Sequence, residues 1–141
     1  MDHLPEYIRH HPYVVIATVI AAIIAVLFEL RSRAHSAAGI SSNSAIALHN
    51  KGALILDVRS AEEFASGHIV DAKHIELEKL AEKTDSLKRY REKPVVVVCE
   101  SGARSAQGAK LLKSQGFTQV VNLHGGLAAW RSDNLPLSKK A

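Results

Sequence analysis

Apolar positions along the chain fall into runs of three kinds. The first, Tyr13 to Phe28, carries no charge and is closed by Glu29, Leu30 and Arg31. The second is short: Val95 to Val98, all β-branched, and Ala53 to Val58 read as strands buried on both faces, as in a parallel sheet. The third is periodic. From Arg104 to Gln115, Ala106, Ala109, Leu111 and Leu112 recur at the spacing of an amphipathic helix. Shorter signals fill the gaps. Ser42 or Ser44 can cap a helix ending at Asn50, and Lys51-Gly52 turns the chain into the Ala53 strand. Ser60 to Ser66 reads as a helix with Glu62 and Glu63 in its first turn, where the dipole favours them. Lys73 to Ile75 suits an edge strand. Glu76 to Lys93, charged but with apolar points at Leu77, Leu80, Leu87 and Tyr90, predicts one or two short helices ended by Pro94. Gly116 is a left-handed helix stop, Thr118 to Leu123 a last strand, and Leu127, Ala128 and Trp130 open a short helix after the turn at His124-Gly125-Gly126.

At about 1.5 Å per residue, a helix from Tyr13 to Leu30 reaches about 27 Å, close to the hydrocarbon thickness of a bilayer. A cleaved signal peptide and a buried core helix fit the same run. The uncharged stretch is long for a signal-peptide core, and Arg31 and Arg33 lie where cleavage prefers small neutral residues, which favours an uncleaved anchor. Those arginines follow the span while Arg9 alone precedes it, so the positive-inside bias puts the main domain in the cytoplasm. The expected organisation is a polar segment over 1–12, a transmembrane helix over 13–30 and a flexible tether over 31–39. An α/β domain over 40–135, with a mostly parallel sheet flanked by helices, precedes a frayed basic tail over 136–141.

With 141 residues, the chain has room for one domain of ordinary size besides the anchor. A single cysteine excludes an intramolecular disulfide and a cysteine-cluster metal site. The formal charge of +4 is scattered, without a basic stripe bearing aromatics, which argues against a nucleic-acid partner. His68 and His74 have no second ligand at helical or hairpin spacing, so no metal is expected. No nucleotide or flavin motif appears either, and the sequence predicts no cofactor.

The candidate chemistry lies where the Val95 strand runs into Cys99. Glu100, Ser101, Gly102, Ala103, Arg104 and Ser105 make a strand-to-helix turn, and Gly102 can take backbone angles closed to other residues. The N–H groups of Glu100 to Ser105 can then point at one centre, and with the positive helix end they favour an anionic sulfur there. The plain alternative is a buried structural cysteine. Arg104 would present a fork of donors to an incoming oxyanion, and Ser105 would cap the helix. Glu100, beside the nucleophile, would offset Arg104 and weaken attraction to a dianion. Asp57 and Arg59 emerge on the same rim of the sheet. Asp57 is expected to cap the helix over Ser60 to Ser66 and Arg59 to pair with a surface acid.

Three motifs in this order resemble the single-domain rhodaneses. They are Leu56-Asp-Val-Arg59 with Glu63-Phe64, Gly67-His-Ile69 and Ala72; the loop from Cys99 to Arg104; and Gly125-Gly-Leu-Ala-Ala-Trp130. The resemblance implies a rhodanese-like fold over 40–135 and sulfur transfer through a persulfide on Cys99. The donor would be thiosulfate or a persulfide, and the acceptor a thiol, including that of a carrier protein, or cyanide. It further implies that Asp57 and Arg59 brace the site rather than react. Because of Glu100, weak activity with thiosulfate is expected. Cysteine-dependent phosphatases use a similar loop one residue longer, so the shorter loop here fits sulfur better than phosphate. A third possibility is an anchored binding module with little turnover. The expected location is the inner, cytoplasmic membrane, crossed once.

Overall fold

A computed structural model describes residues 8–37 and 39–140, the side chains of residues 32–37 excepted. The chain divides after Ala34 into two units. The first is built on helix α1 (Pro12–Ala37). Its apolar stretch Pro12–Arg31 is 20 residues long, and side chains such as Tyr13, Ile16, Ile20, Ile24 and Phe28 are exposed. A buried core helix would have such side chains packed. Thr18, the polar interruption, donates its hydroxyl to the Val14 carbonyl at 2.8 Å, which satisfies its donor within the helix. The flexible tether expected from residue 31 is corrected as well. The backbone stays helical to Ala37, in keeping with the helix propensity of arginine and alanine in that segment.

The second unit is a four-stranded sheet with helices on both faces. Helix α2 (Ser42–Asn50) comes first. Its cap is Ser41, one residue ahead of the expected Ser42, and the Ser41 hydroxyl accepts the Ser44 N–H at 3.2 Å. Then come β1 (Leu54–Asp57), α3 (Ala61–Ser66), β2 (Lys73–His74), α4 (Leu77–Lys83) and a 3-10 turn (Thr84–Tyr90). The chain finishes through β3 (Val95–Val98), α5 (Ala103–Ser114), β4 (Val120–Asn122) and α6 (Gly126–Ser132). The strand order is β2-β1-β3-β4, with every pair parallel.

The apolar runs of β1, up to its terminal Asp57, and of β3 place them at the centre, and all four residues of each are buried. Period-2 alternation divides their side chains between two cores. Leu54, Leu56, Val95 and Val97 pack with Leu80, Ala109 and Leu112 under α4 and α5. Ile55, Val96 and Val98 pack with Ala45, Leu127 and Trp130 under α2 and α6. Parallel pairing brings the carboxyl ends of the strands to one rim. Asp57 lies opposite Val98, so Cys99 leaves the sheet beside the residues that follow β1.

The carboxyl-terminal tail is not frayed over the described residues, against expectation. Ser138 forms an antiparallel bridge with His68, at 2.8 and 2.7 Å. Leu135 and Leu137 pack on the second core, and the Trp130 indole donates to the Pro136 carbonyl at 3.0 Å.

Candidate active site

Cys99 directly follows β3, whose residues are all fully buried, and is itself inaccessible to solvent. Burial alone suits a structural cysteine as well as a reactive one. The polar surroundings of its sulfur distinguish the two. The Gly102 N–H donates to Sγ at 3.0 Å, and the Ser105 hydroxyl lies 3.3 Å from Sγ. Gly102 has φ +104, open to glycine and strained for other residues, and it forms the entry to α5. Ser105 is therefore not the helix cap. It lies buried in the first turn of α5, in reach of the Gly102 carbonyl at 3.1 Å and of Asn122 Oδ1. Asn122 is oriented in turn by its own amide, which donates to the Gly102 carbonyl at 3.2 Å.

Helix α6 fixes the back of the loop. The N–H groups of Leu127 and Ala128 donate to the carbonyls of Cys99 and Glu100 at 2.9 and 3.0 Å. With those carbonyls tied to α6, the sulfur faces the Gly102 N–H and the Ser105 hydroxyl rather than the loop's carbonyls. Gly126 makes this approach possible: a Cβ there would collide with both carbonyl oxygens. The inward donor recorded to Sγ is the Gly102 N–H, a narrower cradle than the full ring from Glu100 to Ser105. Ser101 and Ala103 are exposed on the outer side of the loop.

The charged residues are arranged differently from expectation. Asp57 does not cap α3. Ser60 does, in a reciprocal capping box with Glu63. The Asp57 carboxylate instead accepts from Arg59 Nε at 3.0 and 3.1 Å, from Nη2 at 2.8 Å and from the Arg59 N–H at 3.0 Å. Arg59 also donates to the Gly67 carbonyl at 2.8 Å. Both residues are buried, so the pair joins the end of β1 to the turn after α3 and is no surface ion pair.

Arg104 does not offer its fork to the space above the sulfur. Its Nη1 and Nη2 donate to the two Glu63 oxygens, each at 2.8 Å. The bidentate bond from Arg104 holds the Glu63 carboxyl down at about 2 and raises the Arg104 guanidinium above its ordinary value. Glu100 does not pair with Arg104 but with Arg59 Nη1 at 3.5 Å and with Arg131. His68 and His74 stack on Phe64, with ring centroids 3.8 and 4.6 Å apart. His68 Nδ1 and His74 Nε2 donate to the carbonyls of Phe64 and Arg59 at 2.8 and 2.7 Å.

Residues 41–133 match the Rhodanese-like domain family, with the Cys99 loop and the Asp57 segment inside the matched span. The chain belongs to the rhodanese-like family. The uncharacterized protein YibN of Escherichia coli K12 is 30% identical over 139 residues, 97% of either chain. The thiosulfate sulfurtransferase GlpE of Pseudomonas savastanoi is 39% identical over 93 residues, 66% of this chain and 86% of that one. Among solved structures, a rhodanese-related protein of Thermoplasma volcanium superposes with a TM-score of 0.64 at 28% identity, covering 72% of this chain and 98% of that one. The rhodanese fold, a parallel sheet flanked by helices, is thus shared, and the family includes sulfurtransferases.

Three residues of this rhodanese-like site escaped the sequence reading. Glu63 was given only a dipole role, although Ser60-Ala-Glu-Glu63 carries the capping-box pattern. Asn122 was visible as a polar residue ending an apolar strand. Arg131 gave no signal, since its partner is 31 residues away.

Proposed function

We propose that this chain is a membrane-anchored sulfurtransferase that carries sulfane sulfur as a persulfide on Cys99. The observation that supports it most is the environment of Sγ, with the Gly102 N–H at 3.0 Å, the Ser105 hydroxyl at 3.3 Å and the start of α5 beside it. These groups favour negative charge on sulfur and need no separate base.

In the first half-reaction the Cys99 thiolate attacks the outer sulfur of thiosulfate. A new S–S bond forms, the old one breaks, and its electron pair leaves with sulfite. With an organic persulfide as donor, the leaving group is a thiolate. In the second half-reaction a thiolate acceptor, including that of a carrier protein, or cyanide attacks the outer sulfur of the Cys99 persulfide and restores the thiolate. Both states of Cys99 are anions, which the Gly102 N–H would stabilise in turn, joined by the Ser105 hydroxyl once it turns from accepting the thiol proton to donating toward the ionised sulfur.

Helix α1 would cross the inner, cytoplasmic membrane once, with Arg31 and Arg33 keeping the rhodanese-like domain on the cytoplasmic side. The supports are its apolar length and its exposed apolar side chains. In cells the full chain should stay in the membrane fraction through an alkaline wash. Release by that wash would contradict the anchor.

Thiocyanate formation from a sulfur donor and cyanide tests the activity. Cys99→Ser should abolish it. Ser105→Ala should slow it by about tenfold, the scale of one lost hydrogen bond to a charged group. Full activity in Cys99→Ser would refute the assignment.

A further inference from the structure

Three guanidinium groups surround the Cys99 loop, and each already faces a carboxylate. Arg59 is held by Asp57 and approaches Glu100, Arg131 pairs with Glu100, and Arg104 is gripped through both terminal nitrogens by Glu63. Arg104 is the arginine of the loop itself, and it is half-exposed, as Arg131 is, whereas Arg59 is buried.

Its partner is not a loosely hanging side chain. Glu63 Oε2 also accepts the Ser60 N–H at 3.0 Å, while the Ser60 hydroxyl accepts the Glu63 N–H at 3.3 Å. The carboxylate is thus fixed at the start of α3, and its ionised form is strongly favoured by Arg104. Beside Arg104 lies a cleft of about 170 Å³ lined also by Arg59, Ser60, Glu76 and Glu78. Its two guanidinium groups are thus matched by two carboxylates, so the cleft offers a dianion no excess of positive charge.

We infer that Glu63 is a specificity-determining residue that keeps the Arg104 guanidinium from doubly charged donors, so that the site prefers donors of lower charge, such as a persulfide borne on a thiol. This deepens the sulfurtransferase assignment and rests on it. It also moves to Glu63 the effect that the sequence alone assigned to Glu100. A dianion would have to displace a bidentate carboxylate to reach Arg104, or remain beside it and be repelled. A singly charged donor loses much less by going without Arg104.

Thiosulfate and methanethiosulfonate make a matched pair of probes. Each delivers its outer sulfur to the Cys99 thiolate as the S–S bond breaks, releasing sulfite from the first and methanesulfinate from the second. They differ chiefly by one negative charge. The full chain in detergent is assayed with both, cyanide being the acceptor. Glu63→Gln removes the charge while its amide oxygen can still accept the Ser60 N–H, so the capping box survives. Glu62→Gln, the same change one residue earlier on the exposed side of α3, is the control.

In Glu63→Gln, kcat/KM for thiosulfate should rise about tenfold, through KM, the scale of one charge-assisted pair discounted for a half-exposed site. The value for methanethiosulfonate should change less than about twofold, and Glu62→Gln should leave both as in the wild type. An unchanged KM for thiosulfate in Glu63→Gln would overturn the inference, as would equal gains for both donors. Absence of thiocyanate from the wild type with either donor would overturn the sulfurtransferase assignment, and the role of Glu63 with it.

Discussion

The ion pairs around Cys99 differ above all in burial, and burial decides what each can do. Asp57 and Arg59 are shielded from water, so removing either partner leaves an uncompensated charge inside the fold. Glu63 and Arg104 are half-exposed, so their bond contributes less to stability and remains adjustable by what enters the site. The Glu63 carboxyl titrates at about 2 in the folded chain against an ordinary 4.5. The unfolded chain therefore binds more protons between those values, and stability rises with pH across that window. The contribution is complete above about 4.5 and is lost as pH falls toward about 2. Denaturant unfolding of the wild type and Glu63→Gln should show a small difference near neutrality, within about 1 kcal/mol, that shrinks through the window. A difference independent of pH would contradict this account of the pair.

At the scale of elements, the loop is held from two sides. Strand β3 delivers Cys99 to the rim, and α6 ties the carbonyls of Cys99 and Glu100 from behind. Gly126→Ala should therefore destabilise the protein by about 2 kcal/mol or more, since the residue has φ +58 and its new Cβ would strike both carbonyls. It should also depress sulfur transfer beyond what the loss of folded protein explains. A variant with wild-type melting temperature and activity would show that α6 is not the brace. The same elements explain what could be read from the sequence. Strands β1 and β3 were legible because short apolar runs bounded by turn signals, β-branched throughout in β3, leave few alternatives, and the loop because Cys99, Gly102 and Arg104 sit together in the chain. Caps were misplaced where serines cluster, at Ser41 for one, because each hydroxyl can serve. The Glu63 to Arg104 bond spans 41 residues, and the Ser138 bridge to His68 is longer still. Such pairings depend on the finished fold and leave no local pattern.

For the whole molecule, the chain joins an apolar helix to a rhodanese-like domain whose single cysteine accepts a backbone N–H at the start of a helix. The central claim is that Cys99 carries sulfur, and the most direct measurement is the intact mass of the full-length protein in detergent. It is taken before and after incubation with thiosulfate, methanethiosulfonate or cysteine persulfide, with Cys99→Ser treated alongside. The account predicts a gain of one sulfur atom in the wild type, reversed by a thiol reductant and missing from the variant. No gain with any donor, or the same gain in Cys99→Ser, would contradict it.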